Sequence, residues 1–179
     1  QAKWFNIAFK KLASTYHFNR FRGIGHSNGG LIFTLFLEKY YSSDDVSMTR
    51  LMTIGTPYNL EESNDSNRTQ MLQDMIDSRT KLPSSLTVFS LAGTENLDGD
   101  GTVPIASVLA GKYIFQTQVE HYTQITVSGD DASHSDLPQN RQIINYISEY
   151  MVNQPNQSGT RIQPGTQNQH GNGVPPANE

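Results

Sequence analysis

The chain has 179 residues, 35% of them hydrophobic, with 13 Lys and Arg against 17 Asp and Glu and a formal net charge of −4. That length is about one domain, and with no clustered basic footprint in the sequence, nucleic acid is excluded as the expected partner. The lack of cysteine rules out disulfides, a thiol nucleophile and Cys-ligated zinc, and no apolar run reaches the roughly 18 residues that cross a bilayer. The chain opens at Gln1, directly in an amphipathic pattern that reads as the interior of a domain, which leaves a signal peptide or membrane anchor upstream open.

Trp4, Phe5, Ala8, Phe9 and Leu12 recur at helical spacing and predict a helix over residues 2–16. A short strand at Phe21–Gly25 leads into a glycine-rich turn and a second helix. Its stripe of Leu31, Ile32, Leu35 and Phe36 ends near Tyr41, before a Ser-Ser-Asp-Asp loop. Leu51–Ile54 reads as a buried strand closed by Gly55-Thr56-Pro57. Residues 59–84 begin polar, and Met71, Leu72, Met75 and Ile76 then mark a short amphipathic helix. A strand over 86–92, a loop over 93–104, a short helix over 105–112 and a strand over 122–127 follow. After a loop over 128–139, Ile143, Ile144, Ile147 and Tyr150 define a last helix. This alternation predicts an α/β domain over residues 1–152, a mostly parallel sheet with helices on both faces. From residue 153 to 179 the chain is mostly Asn, Gln, Gly, Pro, Ser and Thr, which predicts a disordered polar tail.

Gly25-His26-Ser27-Asn28-Gly29, followed by Gly30, matches the G-x-S-x-G nucleophile elbow between a predicted strand and a predicted helix. The spacing has a chemical reason. The serine sits on a strained turn, where side chains at the flanking glycines are expected to collide with the neighbouring strand and helix. The helix N-terminus beneath it favours developing negative charge, and the backbone N–H of Asn28 is the expected oxyanion donor. A dinucleotide fingerprint beginning at Gly23-Ile24-Gly25 fails, because its third glycine would have to stand at Asn28.

In this fold the chain order is serine, then acid, then histidine. Asp98-Gly99-Asp100-Gly101-Thr102-Val103-Pro104 follows the strand ending at Ala92, and Asp100 is preferred over Asp98 as the acid because its Asp-Gly-x-Val run resembles the acid loop of many lipases and esterases. Two other readings exist for this loop: a plain Asp-Gly turn, and half a calcium loop using Asn96, Asp98, Asp100 and Gly101, whose twelfth position would be Ser107 rather than Glu. Of the five histidines, only His134 stands on the loop between the last strand and the last helix, where the base belongs. His26 lies inside the elbow, pointing away from the nucleophile by strand geometry, and His170 falls in the tail. No H-E-x-x-H or other metal-ligand cluster is present in the sequence, and the chemistry needs no cofactor.

Together with Gly55-Thr56-Pro57-Tyr58-Asn59 and Ser133-His134-Ser135-Asp136, these motifs resemble the α/β-hydrolase superfamily and, within it, the bacterial cell-surface hydrolases of Gram-positive species. The resemblance covers residues 1 to about 152 and implies Ser27 as nucleophile, Asp100 as acid and His134 as base. It also implies an extracellular or cell-surface location. A member of that family carries about four strands ahead of its nucleophile strand, with the loop that gives the second oxyanion donor. The chain is therefore expected to be the C-terminal part of an α/β-hydrolase fold. The strand at Phe21–Gly25 would then be an edge, inviting association with other chains.

The expected activity is hydrolysis of carboxylic esters, small acyl esters or lipids, through an acyl-enzyme. Residues 59–84 stand where this fold often inserts a cap, so Met71, Leu72, Met75 and Ile76 either line an acyl pocket or pack on the sheet. The competing expectation is a non-catalytic remnant or binding module that keeps the fold's second half.

Overall fold

A computed structural model describes residues 1–44, 46–64 and 66–153. The tail expected from residue 153 thus lies, from 154 onward, outside the described residues, as does Asp45 in the Ser-Ser-Asp-Asp loop. The order is α1 (Ala2–Tyr16), β1 (Arg20–His26), α2 (Asn28–Lys39), β2 (Ser47–Ile54), α3 (Gln70–Ser78), β3 (Thr87–Thr94), α4 (Ile105–Leu109), α5 (Lys112–Phe115), β4 (His121–Ser128) and α6 (Arg141–Tyr146), which runs on into π-helical turns at Ile147–Val152.

The strands form one sheet in the order β1-β2-β3-β4, and every neighbouring pair is parallel. Successive side chains on a strand point to opposite faces, so adjacent residues of β2 and β3 feed two different cores. Leu51 and Val88 join Phe36, Leu37, Leu72, Met75 and Phe115 on one side. Met52 and Phe89 join Val127, Leu137 and Ile143 on the other. The inner strands β2 and β3 are buried along most of their length, whereas β1 and β4, at the two ends of the sheet, are partly exposed. That gradient is what a parallel sheet covered on both faces should show.

Several elements depart from the pattern read in the sequence. β2 begins at Ser47, four residues earlier than the apolar run at Leu51: Ser47 and Met48 already pair with β1, and Arg50 in this first half reaches the last helical turns. Arg50 Nη1 donates to the Tyr150 carbonyl at 2.7 Å, and Arg22, its register partner on β1, donates to the Met151 carbonyl at 2.7 Å. Two cations thereby meet the carbonyl end of the last helical turns, where the helix dipole favours positive charge. Residues 105–112 form two short helices in place of one. The α1 stripe is split: Phe5 and Phe9 pack against Phe21, Phe33 and Phe36, while Trp4 stays 71% exposed and Leu12 50%.

The stripe on α3 resolves toward the core. Leu72 and Met75 are fully buried, Ile76 nearly so, and Met71 packs against the same cluster as Leu31, Leu51 and Tyr58. These four side chains are part of the packing between α2, α3 and the sheet, the second of the two alternatives that the stripe left open. Leu82, from the same stretch of residues 59–84, joins that cluster too. Buried Asn59 closes the first turn of that stretch, its Nδ2 donating to the Asn67 carbonyl (2.9 Å) and its Oδ1 accepting the Thr69 N–H (2.9 Å).

Because all four strands run the same way, the residues after His26, Ile54, Thr94 and Ser128 emerge at one edge of the sheet. Ligands of open α/β sheets bind at that edge.

Candidate active site

Ser27 joins β1 to α2 with φ 54° and ψ −126°, a left-handed conformation that costs a non-glycine residue roughly 1–3 kcal/mol. Its backbone is pinned on both sides. The Ser27 N–H donates to the Ile54 carbonyl (2.8 Å), and its own carbonyl accepts the Gly30 N–H (3.1 Å) and the Thr56 hydroxyl (3.1 Å). The surrounding glycines are not equivalent. A Cβ on Gly25 would stand 2.6 Å from the Gly29 backbone, and one on Gly30 would drive into the Thr56 hydroxyl, whereas a Cβ on Gly29 would meet nothing within 4 Å. The steric demand expected at both flanking glycines therefore falls on Gly25 and Gly30, with Gly29 free of it. Asn28 is the first residue of α2, so its N–H has no helical carbonyl one turn back to pair with and is one of the helix's orphan donors.

Asp100 is 1% exposed and its carboxyl is fully engaged. Oδ1 accepts the N–H groups of Thr102 (3.0 Å) and Val103 (2.7 Å), and Oδ2 lies 2.8 Å from His134 Nδ1. Asp98, two residues away, is exposed, and its N–H is turned onto Asn96 Oδ1 at 2.9 Å. Asn96 Oδ1 accepts the N–H groups of Asp98 and Gly99, and both Asp100 oxygens are occupied, so neither side chain is turned outward as the calcium-loop reading requires.

His134 completes the chain of contacts. Its Nε2 lies 2.9 Å from Ser27 Oγ, and its backbone N–H donates to the Asp100 carbonyl at 2.8 Å. A carboxylate can only accept, so Nδ1 carries the proton toward Asp100 and Nε2 is left to accept from the Ser27 hydroxyl. An imidazole so placed can take the hydroxyl proton as the oxygen attacks an electrophile. The acid and base loops rest on two glycines at the ends of inner strands. A Cβ on Gly55 would come 3.1 Å from Asp100 Oδ2 and 3.3 Å from His134 Nδ1, and one on Gly93 would come 2.5 Å from the Ala132 carbonyl. Gly55 also has φ +54°. Neither was singled out by the sequence pattern for this role, since each is required by loops that fold over it from far along the chain.

His26 joins this cluster through the base: on the side of β1 away from the nucleophile, it meets the His134 loop. Its Nε2 lies 2.9 Å from the His134 carbonyl, and the two imidazole rings sit with centroids 4.7 Å apart. Burial, then the neighbouring His134, push the His26 ring below the ordinary histidine value, against the opposing pull of its own hydrogen bond and of Asp100.

Comparisons with known proteins agree with this architecture. A family described as an alpha/beta hydrolase of unknown function, DUF915, matches residues 1–154. A solved structure of the putative cell surface hydrolase from Lactobacillus plantarum WCFS1 superposes with a TM-score of 0.76 at 56% identity, covering 84% of this chain and 61% of that one. The lin2722 gene product of Listeria innocua gives a TM-score of 0.79 at 29% identity, over 86% of this chain and 66% of that one. The chain thus spans under two thirds of the length of these two relatives. A thermostable carboxyl esterase from Bacillus coagulans, solved with glycerol, shares the fold at 14% identity and a TM-score of 0.56, covering 84% of this chain and 69% of that one. No curated protein matches the chain.

Proposed function

The chain belongs to that α/β-hydrolase family, and on this premise we propose that it is a serine hydrolase of carboxylic esters in which Ser27 is the nucleophile, His134 the general base and Asp100 the acid. The observation that carries the reading is the unbroken chain from Ser27 Oγ through the His134 imidazole to Asp100, with links of 2.9 and 2.8 Å. In the first half-reaction Ser27 Oγ attacks the acyl carbonyl while His134 Nε2 takes its proton, and Asp100 steadies the resulting imidazolium. The Asn28 N–H, at the positive end of α2, faces the developing oxyanion. His134 then gives its proton to the departing alcohol, leaving an acyl group on Ser27. Water, deprotonated by the same histidine, then attacks the acyl carbon; the Ser27 ester bond breaks, the carboxylic acid departs, and His134 returns the proton to Ser27 Oγ.

The substrate class in this reading is an acyl ester of a small molecule or a lipid, whose alcohol leaves with one proton from His134. The name of the Lactobacillus plantarum protein, 56% identical, supports action at a bacterial cell surface. No helix among the described residues is long and apolar enough to cross a membrane. Ser27→Ala should cut turnover of a short p-nitrophenyl ester by several orders of magnitude, toward the ~10⁶ benchmark set by subtilisin. Turnover within tenfold of the parent, on the order of one lost hydrogen bond, would remove Ser27 from the reaction.

A further inference from the structure

We infer that His26 is a positioning residue that acts through His134, an inference resting on the assignment of His134 as base. His26 is the last residue of β1 and the covalent neighbour of Ser27. A backbone carbonyl can only accept, so the 2.9 Å contact means that His26 Nε2 carries a hydrogen and donates it to the His134 carbonyl. The backbone of His134 is therefore held from both sides. Its N–H is tied to the Asp100 carbonyl, and its C=O is tied to the strand that bears the nucleophile.

The side-chain contacts Ser27–His134–Asp100 are thus doubled by a second ring of bonds that fixes where the imidazole stands. This matters because the base comes from a loop, residues 129–136, that is otherwise held largely by turns within itself. Small displacements of a reacting group are costly, with ~1 Å worth about a hundredfold in rate. The neighbouring ring also constrains what can occupy position 26. Its centroid lies 4.7 Å from that of His134, so a permanent cation there would oppose the imidazolium that forms when Ser27 is deprotonated. A neutral donor of the same reach would not. Strand alternation alone hides this role, since it places residue 26 on the other side of the chain from Ser27 without showing that the base loop folds over that side.

The test uses two substitutions that separate shape from donation. His26→Phe keeps a ring and removes the donor; His26→Gln removes the ring and keeps an amide N–H of similar reach. Each is made in the 179-residue chain, checked for an unchanged unfolding midpoint, and read in two ways. The first is the rate of fluorophosphonate labelling, with kcat and KM for a short p-nitrophenyl ester. The second is the low-field imidazole proton resonance of the His134–Asp100 hydrogen bond, which needs no turnover. His26→Phe should slow labelling and lower kcat by about ten- to a hundredfold with little change in KM, and should broaden or abolish the low-field resonance. His26→Gln should restore most of the rate and the resonance.

The inference is overturned if His26→Phe keeps the parental rate and resonance, or if both substitutions do equal damage. It is also overturned if His26→Gln is the more harmful of the two. Ser27→Ala serves as the control that separates the two levels. It should abolish labelling and leave the resonance in place, and persistent labelling would sink the assignment of the site itself, whatever His26 does.

Discussion

Among the described residues two carboxyls are buried almost completely, Asp100 at the rim of the sheet and Glu38 in the last turn of α2, and their surroundings are opposite. Asp100, 1% exposed, is met by two backbone N–H groups and an imidazole. Glu38, 2% exposed, has no hydrogen-bond partner for either carboxyl oxygen among the described residues, and burial pushes it up to about 8 against the pull of Lys39 and Lys81. A charge taken out of water persists only where donors compensate it. The rim supplies them and the last turn of α2 does not. Burial alone therefore says little about function; the donors aimed at the buried group separate a carboxyl held in a chain of hydrogen bonds from one tolerated in packing.

The sharpest way to break this comparison is at the rim. Asp100→Asn leaves the shape of the loop and turns the imidazole toward the wrong tautomer, so kcat should fall by about 10⁴. Asp98→Asn, on an exposed side chain of the same loop, should leave kcat within a few-fold. Steady-state ester turnover of the pair decides it, and an Asp98→Asn variant worse than Asp100→Asn would show the acid to be misassigned.

A smaller effect is expected at the elbow. Gly30→Ala pushes a methyl group into Thr56, and overpacking of this kind costs roughly 1–3 kcal/mol; the loss should appear both in the unfolding midpoint and in turnover. Gly29→Ala meets open space and should change stability by no more than about 1 kcal/mol, in the stabilising direction if helix propensity decides it. Equal damage at the two positions would mean that the close approach of Thr56 does not govern the turn.

An effect on stability alone is expected at Glu38. Its folded value, about 8, lies above the ordinary glutamate value of 4.5, so the unfolded chain loses its proton first as pH rises. Stability should fall between about pH 4.5 and pH 8 and level off above, where both states are ionised. Glu38→Gln should remove that slope and stabilise the protein by roughly 1–3 kcal/mol at pH 8. Chemical unfolding at a series of pH values measures it, and an unchanged slope in the variant would place the titration elsewhere.

What could be read from the sequence, and what could not, divides along the same line between local and distant causes. Ser27, Asp100 and His134 were legible because chain order and loop position are local signals, and the structure brings the three side chains together. The helices were legible from their stripes. The first half of β2 was not, because Arg50 is committed to a carbonyl a hundred residues away. Gly30 rather than Gly29 carries the steric demand only because Thr56 arrives from the turn after β2. The place of His26 depends on a base loop that folds back over β1. An apolar stripe such as Met71, Leu72, Met75 and Ile76 shows that something covers it, not whether that cover is substrate or the protein's own core.

The central claim, that Ser27 is a nucleophile activated by its contacts, is tested most directly by labelling the chain with a fluorophosphonate and mapping the adduct by peptide mass spectrometry. The account predicts a single adduct on Ser27, absent in Ser27→Ala and strongly slowed in His134→Ala. A chain that takes no label, or takes it on another residue, would contradict it.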